Sequence, residues 1–318
     1  MNSNTQTHVI FGTGPVGLAI MDALISQGQT PRMVNRRGIR PADMPASVEL
    51  VSGDVSDPAF TRQAAQGASH IYNATNPEYT EWLQKFPPLQ AAILAAAEAQ
   101  GAKLISMENV YAYGDPEGRP MTEDMPHAAK TRKGKLRAGM MKELLAAHRA
   151  GRVRVVMGMA SDFFGPRVLG SSLGDRFFYP LVAGKAAQYI GKPGLPHTYT
   201  YMPDIGQALV TLGQKDEALG RAWHMPSPKT ISTQEVLAIC GDILGRPLKI
   251  STMPKPLFKL LTLFVPVLRE IDEMLYEFEK PHIVDHSQYA AAFGDHSTPM
   301  RTALEATLKW YQANPQPK

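Results

Sequence analysis

The chain has 318 residues, a formal net charge of +4, 44% hydrophobic residues and a single cysteine. That length accommodates one full-sized domain plus a smaller second lobe, with a core large enough to stand without covalent staples. Cys240 cannot form an internal disulfide, which excludes a disulfide scaffold and suits a reducing cytoplasm, the expected location.

The apolar run His8 to Phe11 predicts a buried strand, followed by the turn GTGPVG (Gly12 to Gly17) and by helical spacing from Val16 to Ser26. This strand, turn and helix is the context in which a glycine turn binds a dinucleotide. Gly12 permits the tight turn, Thr13 and Gly14 bring backbone to a pyrophosphate, and Gly17 lets helix and strand pack closely. Pro15 suits the first helical turn, and the amides from Val16 onward face the anion with the helix dipole behind them. The second strand, Thr30 to Asn35, ends without the Asp or Glu that accepts from a free ribose 2′-hydroxyl; Arg36 and Arg37 follow instead. A guanidinium fork matches a phosphate, so NADP is expected in preference to NAD. The plain alternative is that these arginines belong to a solvated loop.

A third strand is expected from Val48 to Asp54, a short helix over Pro58 to Gln66, and a fourth strand over Ser69 to Asn73. Leu89 to Gln100 reads as an alanine-rich helix, Lys103 to Ser106 as the fifth strand, Met140 to Ala150 as a helix and Val153 to Met157 as the sixth strand. Such alternation predicts an α/β fold, a Rossmann-type doubly wound parallel sheet covered on both faces, with ligands beyond the carboxyl ends of the strands. After Asp162 come Gly-, Pro- and aromatic-rich loops. Asp204 to Leu212 resumes as a helix, Ala222 to Met225 as a returning strand, and Ser232 caps a helix to Leu244 with Glu235 at the reciprocal position. Residues 1–164 with about 203–228 are therefore expected to form the NADP-binding domain. About 165–202 with 229–318 would form a smaller, discontinuous C-terminal substrate-binding lobe. The most apolar stretch, Leu257 to Leu268, is too short to span a bilayer and is broken by Lys259 and Pro266. It is expected to be a buried or pocket-lining helix. Basic residues cluster only at Arg36-Arg37 and at Lys130 to Arg137, without interleaved aromatics, so neither a nucleic-acid nor a membrane partner is expected.

On these motifs the chain resembles the extended and atypical short-chain dehydrogenase/reductase superfamily, in particular its NAD(P)-dependent epimerase/dehydratase-like group. The resemblance extends to GDVSD (Gly53 to Asp57), which places Asp54 and Val55 at the adenine. It also covers Asn73, Ala74 and Thr75 beside the cofactor, SMENVYAYG (Ser106 to Gly114), and SDFFGP (Ser161 to Pro166), which puts Ser161 and Asp162 along the nicotinamide. It further implies a small-molecule substrate and a homodimer. The usual Tyr-x-x-x-Lys pair is missing: aligned there, Lys133 replaces the tyrosine and Arg137 the lysine, while Met107 replaces the second serine and leaves Ser106 beside it.

Tyr111 and Tyr113 lie just beyond the fifth strand, where a phenol can act as general acid if cations depress its pKa from about 10; Lys133 could supply that field. Packing tyrosines and an exposed helix start at Lys133 are the alternatives. Glu108 is the best-placed carboxylate for a proton role. Phe177, Phe178 and Tyr179 either line a substrate mouth or fill a satellite core, and His224 reads as a packed strand-end residue. No histidine pair has metal-motif spacing. Two functions stay open: an NADP-dependent oxidoreductase or epimerase-like enzyme acting on a small carbonyl or hydroxyl compound, and a catalytically silent NADP-binding regulator or redox sensor.

Overall fold

The computed structural model describes residues 6–316. The first half alternates strand and helix as expected: β1 (His8–Phe11), α1 (Pro15–Ser26), β2 (Arg32–Asn35), β3 (Glu49–Ser52), α2 (Pro58–Ala64), β4 (His70–Asn73), α3 (Trp82–Gln100), β5 (Lys103–Asn109), α4 (Arg132–Arg149) and β6 (Arg154–Ala160). The parallel sheet has the order β3-β2-β1-β4-β5-β6, with Ala222–His224 as a seventh strand outside β6. The order reverses between β1 and β4, so the loops after these two strands diverge and leave a crevice at their carboxyl ends. Every residue of β1 and β4 is buried, as expected of central strands in a parallel sheet covered on both faces.

Two helices begin well before their sequence signals. α3 starts at Trp82 and runs through Pro87 and Pro88. Each proline removes an amide and frees a carbonyl four residues back, but Leu83, Gln84, Pro87 and Pro88 all lie on the exposed face, where water can satisfy those carbonyls. Trp82 and Phe86 hold the other face, so burial overrides the helix-breaking residues. α4 starts at Arg132, eight residues before the alanine-rich part. Its buried stripe begins with two cations, Lys133 and Arg137, before Met140, Leu144 and Ala147. The 4-3-4-3 spacing is helical, but the charge of its first members hides it from an apolar count.

The chain forms two compact units. One comprises residues up to Ala112, Lys133–Met159 and Ile205–Trp223; the other comprises Tyr113–Arg132, Ala160–Asp204 and His224 onward. At the amino-terminal edge of the sheet in the first unit, the rings of His8 and His70 stack at 4.8 Å. His8 Nδ1 meets the Tyr72 hydroxyl at 3.3 Å, and the Nε2 atoms of both histidines lack a hydrogen-bond partner among the described residues. In the second unit, Phe177 and Phe178 are fully buried among Phe164, Leu173, Val236 and Leu304; these aromatics fill a core rather than a substrate mouth. The capping box is present, with Ser232 and Glu235 bonding reciprocally at the start of Thr233–Leu244.

The expectation of one buried helix over 257–268 is corrected. The stretch forms two short helices, Lys255–Leu261 and Pro266–Asp272. Phe258 and Leu268 are buried, but Leu263 and Phe264 between the helices are 66% and 75% exposed. Pro266 ends any continuous helix and leaves a solvated turn. No helix among the described residues is long and apolar enough to cross a membrane.

Candidate functional site

The glycine turn has the geometry its sequence demands. Gly12 has φ +117°, and a Cβ there would fall 2.4 Å from the carbonyl oxygen of Ala74, at the exit of β4. A Cβ at Gly17 would lie 2.1 Å from the Gly12 carbonyl oxygen, so helix and turn touch through backbone alone. Gly14 is different: a Cβ there would meet nothing within 4 Å. It also caps α1 without any side-chain hydrogen bond, and the first turn carries no acid. Backbone amides and a positive helix end facing open space fit an anionic pyrophosphate.

These contacts separate two substitutions. Gly17→Ala is expected to lower the melting temperature and abolish dinucleotide binding, because the turn must move. Gly14→Ala is expected to melt within about 2 °C of wild type, an effect of roughly 0.5 kcal/mol or less, while weakening binding at least tenfold. Equal binding losses accompanied by equal melting losses would contradict this division.

At the end of β2, Asn35 shapes the loop. Its amide nitrogen donates to Thr13 Oγ1 at 3.1 Å and to the Ile39 carbonyl at 2.9 Å, while its Oδ1 accepts from the Gly38 amide at 2.7 Å. Asn35 thus ties the arginine turn to the glycine turn. Arg36 and Arg37 are exposed, and neither enters an ion pair among the described residues. Asp54 is exposed and Val55 buried beside it. Hydrogen bonds from Ser56 hold the Asp54 carboxyl below the usual range, with the Arg36 charge contributing.

After β4, Asn73 Oδ1 accepts from the Thr75 hydroxyl at 2.7 Å, and Ala74 forms the floor under Gly12. Asn73 Nδ2 reaches Ser106 Oγ on β5 at 3.4 Å. Ser106 is fully buried and donates to Glu108 Oε1 at 2.8 Å. Glu108 Oε2 lies 2.6 Å from Arg137 Nη2, which also donates to the Met107 carbonyl at 3.1 Å. Burial pushes the Glu108 carboxyl up, against the pull of Arg137 and Ser106. Arg137 thus stands one helical turn from Lys133 and neutralises a carboxylate.

Lys133 is 1% exposed, which removes the exposed-helix alternative. Its Nζ lies 4.4 Å from the centroid of the Tyr79 ring. The Tyr79 hydroxyl meets the Tyr111 hydroxyl at 3.4 Å, and both rings pack on Trp82. Tyr79, in the short turn Tyr79–Glu81 between β4 and α3, is the site residue the sequence did not disclose. No spacing links it to Lys133; only the fold brings them together.

Tyr113 does not join this group. It is buried in the second unit, 2.8 Å from His224 Nε2. His224 Nδ1 lies 2.7 Å from the Asp285 carbonyl, which can only accept, so Nδ1 carries the ring proton and Nε2 accepts from Tyr113. Burial, with Glu123 and Asp124 nearby, pushes the Tyr113 phenol upward. Its proton is committed to a structural bond, and the expectation of an acid at Tyr113 is set aside for that reason. Ser161 donates to the Thr198 carbonyl at 2.6 Å, and Asp162 Oδ2 accepts from Ser172 at 2.9 Å and pairs with His197 Nε2 at 3.1 Å. Burial raises the Asp162 carboxyl, but His197, His282 and Ser172 outweigh it and hold the group below the usual range. No group of three or more His, Cys, Asp or Glu side chains among the described residues could hold a metal ion.

Residues 12–153 match a family model described as NAD(P)H-binding. Solved structures resemble nearly the whole chain. A nucleoside-diphosphate-sugar epimerase from Pseudomonas aeruginosa is 16% identical over 97% of this chain and 98% of that one, with a TM-score of 0.76. The UDP-glucose 4-epimerase of Thermotoga maritima is 13% identical over 97% and 99%, with a TM-score of 0.79. The dTDP-glucose 4,6-dehydratase of Bacillus anthracis, solved with NAD, is 15% identical over 97% of each chain, with a TM-score of 0.75. The fold is shared with these epimerases and this dehydratase. The matched residues fall mostly in the first unit. No curated protein matches the chain by sequence.

Proposed function

We propose that the chain is an NADP-dependent oxidoreductase or epimerase-like enzyme acting on a small carbonyl or hydroxyl compound, with Tyr111 as the acid that serves the reacting oxygen. The first unit is the cofactor domain and the second the substrate lobe. The observation that carries this reading is a continuous path in the first unit. The glycine turn rests on Ala74, Asn73 reaches Ser106 on β5, and Tyr111 follows β5 with a hydroxyl partnered by Tyr79 beside Lys133. The glycine turn and the phenol thus follow β1 and β5, on either side of β4, at the carboxyl ends of the strands, where open α/β sheets bind their ligands.

The bound nicotinamide supplies or accepts a hydride. The protein's own work is to hold the dinucleotide at Gly12 to Gly17, place Asp54 at its adenine end, and move a proton at the Tyr111 oxygen. Arg36 and Arg37, with no competing acid at the end of β2, are the phosphate ligands that would select NADP. Arg36→Ala is expected to weaken NADPH binding at least tenfold, a loss of about 1.4 kcal/mol, and to leave NADH unchanged in a fluorescence titration. Equal wild-type affinity for the two cofactors would remove the NADP assignment.

One observation favours the second reading, a silent NADP-binding regulator: Ser106, the hydroxyl where the usual triad has one, already donates to Glu108. Oxidation of NADPH by any member of a small aldehyde and ketone panel separates the two readings. An enzyme turns over, whereas a regulator binds the cofactor and leaves it reduced.

A further inference from the structure

The aromatic corner beside β5 contains more than one phenol, and its cation does not come from where the superfamily places it. Tyr79 is delivered by the loop after β4, Tyr111 by the turn after β5 and Lys133 by the first turn of α4. Trp82 packs edge-on against Tyr79 at 4.9 Å and tilted against Tyr111 at 5.9 Å, which keeps the two hydroxyls facing each other. We propose that Tyr79 is the second member of a two-phenol proton relay, giving its proton to Tyr111 and carrying the resulting negative charge beside the Lys133 ammonium. This deepens the reading given above and rests on it.

The chemistry balances without another reagent. As the substrate carbonyl is reduced, its oxygen takes the proton of the Tyr111 hydroxyl, breaking that O–H bond. The Tyr111 oxygen then takes the Tyr79 proton, and the Tyr79 phenolate is reprotonated from solvent. In the oxidising direction each transfer reverses. Two physical effects favour the intermediate charge: the hydroxyl 3.4 Å away donates to whichever oxygen is ionised, and the ammonium 4.4 Å from the Tyr79 ring centroid attracts a phenolate more strongly than a phenol. The order of transfer follows from placement. Lys133 lies over the ring of Tyr79, so the charge comes to rest on Tyr79 and leaves Tyr111 protonated for the next substrate.

The test is a pH titration of tyrosinate absorbance on the full chain, run without cofactor or substrate. Wild type is expected to show one tyrosine ionising at least one pH unit, a tenfold change in acidity, below the ordinary value of about 10. Tyr79→Phe and Lys133→Met are each expected to remove that early step, and Lys133→Arg to keep it. Absence of an early step, or its survival in either of the first two variants, overturns the relay. Tyr79→Phe retains the ring against Trp82 and decides alone should Lys133→Met fail to fold. Failure here is distinct from failure of the enzyme reading, which is judged by NADPH binding and oxidation.

Discussion

Arg137→Met is expected to destabilise the protein by about 3–5 kcal/mol, the usual consequence of leaving one buried charge without its partner. Arg137 and Glu108 are 4% and 1% exposed, and the Glu108 carboxyl would retain only the Ser106 hydroxyl. The loss should grow with pH. Without the guanidinium the native carboxyl titrates at a still higher pH, so it stays protonated at low pH and must be buried as an anion, or hold its proton against the gradient, at high pH. Urea denaturation at pH 5.5 and 8 measures both points. Glu108→Gln combined with Arg137→Met should recover at least half of the single-variant loss, since the orphaned charge is gone. A single variant costing less than about 1 kcal/mol, or a double variant costing the sum of its parts, would show that the pair is not a closed buried unit.

Much of the proposed cofactor side was legible in the sequence because it is encoded locally. The glycine turn, its flanking strand and helix, and the arginines after β2 lie within one continuous stretch, and their spacing alone predicts their placement. The proposed catalytic side was less legible because its residues are non-local. Tyr79, Tyr111 and Lys133 come from three separate loops and helix starts, and a charged stripe on α4 looks like a solvated face until Lys133 and Arg137 are found buried. Tyr113 shows the converse. Two residues from Tyr111, it has the same chemical promise, and only the His224 contact shows that its proton is committed. The apolar run 257–268 misled for a related reason: hydrophobicity predicts burial only where the backbone can offer a continuous face, and Pro266 denies it one.

Acidification should produce the second large effect. Burial lowers His8 and His70 from 6.5 to about 4. Both are therefore neutral in the native state between those values while the unfolded chain takes up protons. Stability contributed by each is intact above pH 6.5, falls as pH drops through that window, and levels off below about 4. By pH 5 the expected loss is ~2 kcal/mol per histidine and ~4 kcal/mol for the pair. Glu277 and Asp204 run the other way, because burial raises their carboxyls and folding is then favoured as pH falls. The histidine share is therefore read as the difference between wild type and the His8→Gln/His70→Gln double variant, whose unfolding free energies are compared at pH 7.5 and 5. Parallel pH dependence in the two proteins would show that the stacked pair contributes nothing to acid sensitivity.

The meeting of Gly12 with the carbonyl of Ala74 has a consequence for how the chain can vary. The turn after β1 and the turn after β4 meet backbone to backbone at Gly12 and Ala74, so neither can be rebuilt alone. Any change that reshapes the β4 turn, which also leads to Tyr79, alters the seat proposed for the pyrophosphate. On the proposed function, drift in substrate preference through that loop would be mechanically coupled to retention of the cofactor, and variants that gain the first without losing the second would have to compensate across the joint.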